Sequence, residues 1–292
     1  MGSAVELSGF FLDANDLPDR DFIGGVGDGG GIFIDGSTNA SFIGGTVAGN
    51  SAGNNGGGIY SDSGRLSLSD VDIEGNITRG LGDAEILFFD GGFFPGDPFI
   101  EVTTAVPGSL GGGGIYNLAG QVSILNGSIL SNNETRASGG AIRSDGGRVF
   151  VVDSEISTNA AIGASEVTGG TLGDPLSENA GGGIFADGAV TVRDSRVVGN
   201  SAENEGGGIF NTSGLLFVSG AEIDDNTSGE GGGIFNLAGD VRVVNGSTIN
   251  SNFGLDNGGG LSSSSGSVFI ADSEIAGNTG SRGGGIGANN NS

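Results

Sequence analysis

The stretch NEGGGIFNTSG at residues 204–214 returns 25 residues later as GEGGGIFNLAG at residues 229–239. In both copies three glycines precede a large apolar residue, and related copies lie at residues 54–64, 110–120 and 256–266. We use the apolar residue after the glycines as the marker of each copy. The markers are Ile32, Ile59, Ile115, Ile142, Ile184, Ile209, Ile234, Leu261 and Ile286. Internal repeats of about 20–50 residues are typical of solenoids, in which successive repeats stack on one another.

The order of residues within each copy is constant. A short polar turn follows the marker, and then two apolar residues stand one residue apart, which indicates a strand with one buried face. These pairs are Leu66 and Leu68, Val122 and Ile124, Val149 and Val151, Val190 and Val192, Leu216 and Val218, Val241 and Val243, and Val268 and Ile270. A further apolar residue follows, and an asparagine stands three residues beyond it.

We predict that these asparagines occupy a corner of the repeat, because Asn tolerates the left-handed backbone conformation and bonds nearby backbone. Stacked from copy to copy, their side chains would form a structural amide ladder. Its predicted members are Asn50, Asn76, Asn132, Asn159, Asn200, Asn226, Asn252 and Asn278.

Short strands separated by turns cannot bury a face alone, but they form a continuous core when they stack. The sequence therefore predicts an all-β fold, a right-handed parallel β-helix (β-solenoid) of about ten coils of about 25 residues. A helical solenoid is excluded, since 65 glycines and no 3.6-residue periodicity oppose helices. We predict one domain over residues 1–292, with insertions at about 77–111 and 160–180 where the marker spacing lengthens.

The motifs GGGI or GGAI, as at residues 139–142, and Ile or Val followed three residues later by Asn resemble the repeat of the chlamydial polymorphic membrane proteins. In that family the motifs are GGA[ILV] and FxxN, so this chain departs from it in placing Ile or Val where the family prefers Phe. The resemblance covers nearly the whole chain. It implies a right-handed β-helical passenger of an autotransporter, exposed on the cell surface and adhesin-like.

The two ends of the chain are complementary in sequence. AVELSGFFLDAN at residues 4–15 aligns with AVTVRDSRVVGN at residues 189–200, so the chain begins in the second half of a coil, whereas GGGIGANNNS ends it in the first half. A second copy joined head to tail would complete the coil, and such a non-closing contact generates a filament. The predicted self-assembly interface is Val5, Leu7, Leu12, Asn15, Ile286, Asn289 and Ser292. The alternatives are a segment cut from a longer solenoid, with neighbouring segments as its partners, and an end cap that the sequence does not display.

Two further candidate sites follow from composition. The first insertion carries Phe88, Phe89, Phe93, Phe94 and Phe99, which form either a contact loop, since insertions in solenoids often form the binding face, or a small satellite core folded onto the flank of the helix. A loop near the N-terminus offers closely spaced oxygen ligands that suit Ca²⁺, although it lacks the EF-hand pattern. Its residues are Asp13, Asn15, Asp16, Asp19 and Asp21. Calcium is the only cofactor for which the sequence offers a candidate site.

The charge of the chain limits its partners. A net charge of −25 opposes binding to nucleic acid, and no apolar run is long enough for the chain to be membrane-inserted. The chain has no cysteine or histidine, and its only adjacent Asp pair is Asp224–Asp225, so we predict that it is not an enzyme.

We therefore predict an extracellular structural β-solenoid on the cell surface, which assembles head to tail into a filament or forms part of an adhesin stalk. The alternative is a β-helix that binds or cleaves a surface polysaccharide. In its cleaving form it would be a lyase that uses calcium with Arg143 or Arg148.

Overall fold

The computed structural model describes residues 4–13, 28–36, 38–79, 84–87, 102–105, 111–162 and 179–288. Its strands stack in parallel, one coil above the next, as an all-β solenoid of about eight turns. The β-solenoid predicted from the repeat is confirmed. The prediction of about ten coils is too high, because the nine markers define only eight coil-to-coil steps and the terminal half-coils do not add complete turns.

Three parallel sheets run the length of the described solenoid. Sheet 1 has fifteen strands: Ala4–Asp13, Asn39–Ala48, Arg65–Glu74, Gln121–Leu125, Ile129–Ser131, Arg148–Val152, Glu155–Ser157, Ala189–Arg193, Arg196–Val198, Leu215–Ser219, Glu222–Asp224, Asp240–Val244, Thr248–Asn250, Val268–Ile270 and Glu274–Ala276. Sheet 2 has nine strands: Ile32–Ile34, Ile59–Ser61, Ile115–Asn117, Ile142–Ser144, Ile184–Asp187, Ile209–Ser213, Ile234–Asn236, Leu261–Ser263 and Ile286–Ala288. Sheet 3 has seven strands: Ser51–Ala52, Ile77–Thr78, Glu134–Thr135, Ala160–Ala161, Ser201–Ala202, Thr227–Ser228 and Phe253–Gly254.

Each coil bends once within sheet 1. In the coil that contains Arg65–Glu74, Leu66 and Leu68 point inward, Asp70 has a φ of 58°, and the inward positions then shift to Val71 and Ile73. A left-handed residue recurs at this bend as Asn126, Asp153, Asp194, Asn245 and Asp272, since Asn and Asp accept positive φ more readily than other side chains. We call the part of sheet 1 before the bend the leading strip and the part after it the trailing strip.

The core is a set of apolar rows that run from coil to coil. The markers pair with one another in a single register through sheet 2, so that Ile209, for example, lies between Ile184 and Ile234. The alternating pairs of the leading strip form two more rows, and Val190 and Val192 are fully buried in them. The hydrophobic core therefore extends along the solenoid as one continuous cluster.

The three glycines form the corner between sheet 3 and sheet 2, and each meets a different requirement. Gly206 has a φ of 63°, which disfavours any side chain. A Cβ atom on Gly207 would lie 2.4 Å from the Thr227 carbonyl oxygen and 2.5 Å from that of Gly232. A Cβ atom on the third glycine, Gly208, would lie 2.6 Å from the Gly233 carbonyl oxygen, yet this position accepts alanine, because Ala141 occupies it in the coil that begins at Ile142 and is fully buried there.

The insertions begin later than predicted. Ile77–Thr78 pairs with Glu134–Thr135, which in turn pairs with Ala160–Ala161, so these residues belong to sheet 3 and not to the insertions. Strands of two residues carry too little apolar pattern to be recognised in the sequence. Within the first insertion, Ala84–Leu87 and Val102–Ala105 form an antiparallel pair.

Replacing Gly207 with alanine is expected to lower the free energy of unfolding by about 1–3 kcal/mol or more, because the new Cβ would overlap two backbone carbonyls in the stack. Gly208→Ala is the matched control, since alanine already occupies the equivalent place at Ala141. Urea unfolding of the two variants measures the difference. Equal losses in both variants would contradict the expectation that the middle position, where a Cβ would meet two carbonyl oxygens, tolerates alanine less well than the third position.

Candidate functional site

The last coil of the described solenoid exposes side chains whose counterparts in the interior coils are buried. Val268 occupies the same inward row as the fully buried Val241, yet it is 37% exposed. Ile286 occupies the row of the buried Leu261 and is 44% exposed. This end of the solenoid therefore presents an apolar rung with no coil stacked upon it among the described residues.

The first strand of the chain lies at the opposite end. Ala4–Asp13 pairs in parallel with Asn39–Ala48, with Val5 opposite Ala40, Leu7 opposite Phe42 and Leu12 opposite Val47. The chain thus enters the solenoid in sheet 1, in the register that the alignment of residues 4–15 with residues 189–200 predicts. Of the predicted interface, Asn15, Asn289 and Ser292 lie outside the described residues.

An asparagine ladder lies at the corner between the trailing strip and sheet 3. Each side-chain amide donates through Nδ2 to Oδ1 of the asparagine in the next coil, at 2.9 or 3.0 Å, and the backbone N–H donates to the same oxygen. Its members are Asn50, Asn76, Asn133, Asn159, Asn200, Asn226, Asn252 and Asn278. A second Nδ2 hydrogen bond reaches a backbone carbonyl, as from Asn226 to Val197 at 2.9 Å. The ladder holds the corner closed and leaves few free polar atoms for a ligand.

The prediction of Asn132 in this ladder is wrong, because Asn133 occupies the position. The bend of that coil holds one residue more than most, at Asn126–Gly127, so the inward side chain is Leu130 and Ile129 is 40% exposed. Asn132 is instead left-handed and exposed, and its Oδ1 accepts a hydrogen bond from Thr158 Oγ1.

Asn133→Ala is expected to lower the free energy of unfolding by about 2–4 kcal/mol, since it removes several buried hydrogen bonds and leaves the backbone N–H of Asn76 and one N–H of its side-chain amide without an acceptor. Asn132→Gly, which keeps the positive φ, is expected to change it by less than about 0.5 kcal/mol. Thermal and urea unfolding of the two variants check this. The reverse order of effects would show that the ladder follows Asn132.

A row of aromatic side chains follows the markers through sheet 2, and our sequence analysis did not identify it. The residue after each marker from Ile32 to Ile234 is, in order, Phe33, Tyr60, Tyr116, Arg143, Phe185, Phe210 and Phe235. Neighbouring rings stack with centroids 4.9–5.4 Å apart, and the Arg143 guanidinium lies 4.3 Å from the centre of the Phe185 ring. The signal was present in the sequence as an aromatic residue repeated directly after the marker.

Arg143 joins two aromatic stacks through one carboxylate. Arg143 Nε donates to Asp145 Oδ1 at 2.7 Å, and Tyr116 Oη donates to Asp145 Oδ2 at 2.6 Å. Burial, and after it the hydrogen bond to Asp145, raises the pKa of Tyr116 far above its ordinary value, so the phenol stays protonated. This arrangement is suited to fixing side chains in the stack. Arg148, the other arginine of the lyase alternative, is exposed at the start of its leading strand.

Two glutamates stack on each other directly before the glycine corners. Glu205 and Glu230 occupy adjacent coils, and Glu205 Oε2 is a buried atom without a hydrogen-bond partner among the described residues. Burial first, and the Glu230 carboxylate second, raises the pKa of Glu205 to about 7. Glu230 Oε1 accepts hydrogen bonds from Asn257 Nδ2 and Ser262 Oγ.

The raised pKa of Glu205 predicts a pH dependence of stability. A carboxyl group whose pKa is higher in the folded state stabilises the fold at pH values below its unfolded pKa, and this contribution is lost as the pH rises through about 7. Relative to Glu205→Gln, which stays neutral, the natural chain is expected to lose free energy of unfolding between about pH 5 and pH 8. Urea unfolding of both proteins across this range measures the difference. Parallel pH curves would mean that Glu205 ionises normally in the folded state.

The remaining predicted sites fall partly or wholly outside the described residues. The contact-loop phenylalanines and the calcium-loop residues Asn15, Asp16, Asp19 and Asp21 lie there, and only the backbone of Asp13 is described. No group of three or more His, Cys, Asp or Glu side chains in the described part of the chain could hold a metal ion. Asp224 and Asp225 have separate structural environments, since Asp224 accepts a hydrogen bond from the Asn250 N–H and Asp225 has a φ of 56°.

The comparisons with known proteins return no relative. No family model, no curated protein and no solved structure matches the chain. Within the described residues, no helix has the length and hydropathy needed to cross a membrane. The functional argument therefore rests on the geometry and the sequence pattern of this chain.

Proposed function

We propose that this chain is a structural β-solenoid whose copies stack head to tail, with the last coil of one copy against the first coil of the next. The observation that carries the proposal is the exposure of inward apolar residues on the last coil, Val268 and Ile286 above all. Covering such surface with another coil is favourable, because apolar area is removed from water.

The register of sheet 1 supports this join. The inward row of Val5 runs through Ala40 and Leu66 to Val268, and the row of Leu7 runs through Phe42 to Ile270. Each end strand pairs on one side only among the described residues, which leaves a row of backbone N–H and C=O groups without a strand partner. The strand Ala4–Asp13 of a second copy would therefore continue every row of sheet 1.

Sheet 2 supports the same join. Phe33 stacks on Tyr60 with one face, with ring centres 4.9 Å apart, and it is 55% exposed. In the stacked arrangement, Ile32 of the next copy would follow Ile286, and Phe33 would lie over Gly287, which has no side chain to obstruct the ring. The contact joins two different surfaces and does not close, so it generates a filament.

The proposed role is non-catalytic and extracellular, as a cell-surface filament or part of an adhesin stalk. The regular coils support a structural role, since the polar side chains at the asparagine corner are hydrogen-bonded to one another in the ladder. The surface location rests on the sequence resemblance to polymorphic membrane proteins. Binding of a target would then belong to the outer faces of the rod or to the insertions.

Charges placed on the uncovered rung test the proposal. The natural chain is expected to form long, uniform fibres at micromolar concentration in negative-stain electron microscopy. Val268→Glu combined with Ile270→Glu is expected to give short rods, because stacking would bury two carboxylates without partners. Ser265→Glu combined with Ser281→Glu adds the same charge at exposed turn positions and is expected to leave the fibres intact. Short rods from the natural chain would overturn the proposal.

A further inference from the structure

The two strips of sheet 1 carry opposite charge on their outward faces. Among the described side chains, the outward positions of the leading strip hold four arginines and one aspartate: Arg65, Arg148, Arg193, Arg242 and Asp240. Those of the trailing strip hold six carboxylates and one arginine: Asp72, Glu74, Glu155, Glu222, Asp224, Glu274 and Arg196. In a chain of net charge −25, a face with an excess of arginine is a local exception.

The leading strip also carries aromatic side chains on its outward face, of which Phe150 and Phe217 are half-buried and Phe269, in the last described coil, is exposed. Phe150, Thr191, Phe217, Arg242 and Phe269 succeed one another in one outward row. Phe269 is 51% exposed, and the Arg242 guanidinium lies 5.3 Å from the centre of its ring. Aromatic residues and arginine are enriched at protein interfaces.

The trailing strip lacks enough cations to balance its carboxylates. Arg196 binds Glu155 at 3.1 Å and Glu222 at 2.8 Å, and among the described residues no other ion pair reaches this strip. Burial, followed by the neighbouring carboxylates of Glu74 and Asp70, raises the pKa of Asp72. Arginine side chains from another molecule would relieve this repulsion between like charges.

We propose that the leading strip of one copy packs side by side against the trailing strip of a second copy. The charges of the two strips are opposite, and both strips repeat at the same spacing of about 4.8 Å, so a contact made at one rung recurs at the next. This lateral contact is independent of head-to-tail stacking and would bundle solenoids whether or not their ends are joined.

The small area of this contact predicts a weak association. The eight rungs of the leading strip whose side chains are described are separated by seven spacings of about 4.8 Å, and with five residues of about 3.3 Å in each rung this strip has an area of about 550 Å². Two such faces bury about 1,100 Å², at the low end of specific interfaces. The association must therefore be measured at protein concentrations from about one to several hundred micromolar.

The experiment uses the full chain with Val268→Glu and Ile270→Glu, which blocks the ends and so separates the lateral contact from stacking. Sedimentation velocity across the concentration range is expected to show reversible association. Reversing the charge of the leading strip with Arg148→Glu, Arg193→Glu and Arg242→Glu is expected to weaken this association at least tenfold. Reversing the charge of the trailing strip with Asp72→Lys, Glu74→Lys and Glu274→Lys is expected to weaken it to the same extent. Mixing the two reversed proteins is expected to restore association, because each then offers the charge that the other lacks.

The matched control is Arg79→Glu, Arg136→Glu and Arg282→Glu, which makes the same charge change at exposed positions outside sheet 1 and is expected to leave association unchanged. If circular dichroism shows that a triple variant is unfolded, the single variants Arg242→Glu and Glu274→Lys are compared in its place. An end-blocked chain that stays monomeric throughout, or a mixture that does not associate, would overturn the proposal. So would a monomer that binds polygalacturonate through the leading strip, since this would assign the strip to an anionic polymer.

Discussion

Neighbouring coils of this protein exchange backbone hydrogen bonds, each coil donating to and accepting from the coils on either side of it, and the rest of the structure depends on this pairing. At a spacing of about 4.8 Å, each side chain lies directly against the side chain at the same position of the next coil. A buried residue type that stacks well on its own kind therefore tends to recur at the same position of successive coils. The rows of Ile, Asn, Gly and aromatic residues are consequences of this single constraint.

The same constraint separates residues by chemistry. Asparagine stacks well because its amide donates to one neighbour and accepts from the other, as Asn200 does between Asn159 and Asn226. Carboxylates stack badly, because like charges repel at this distance. The structure relieves that repulsion in two ways. Arg196 lies between Glu155 and Glu222 in the trailing strip, and burial raises the pKa of Glu205 beside Glu230.

A fold built from repeated pairing has no natural end, and this links its architecture to the function that we propose. In the interior coils, the inward apolar side chains are buried against the coils on both sides, whereas in the last described coil Ile286 and Val268 are partly exposed. The outer faces are the other source of interaction. There the bend at residues such as Asp153 and Asp194 divides sheet 1 into an arginine-bearing strip and an acidic strip. In the proposed assembly, the ends of the solenoid therefore control the length of a filament, and the two strips of sheet 1 control the side-by-side packing of filaments.

The sequence by itself determined the fold class, the markers, the alternating pairs and most of the asparagine ladder, because each of these patterns recurs in every coil. What it could not decide depended on contacts between coils. ILSNN at residues 129–133 fits the ladder at either asparagine, and only the stacked neighbours select Asn133. The two-residue strands of sheet 3 and the buried state of Glu205 likewise had no local pattern. Periodicity identifies what repeats along the chain, whereas the packing of one coil on the next decides where a coil departs from the repeat.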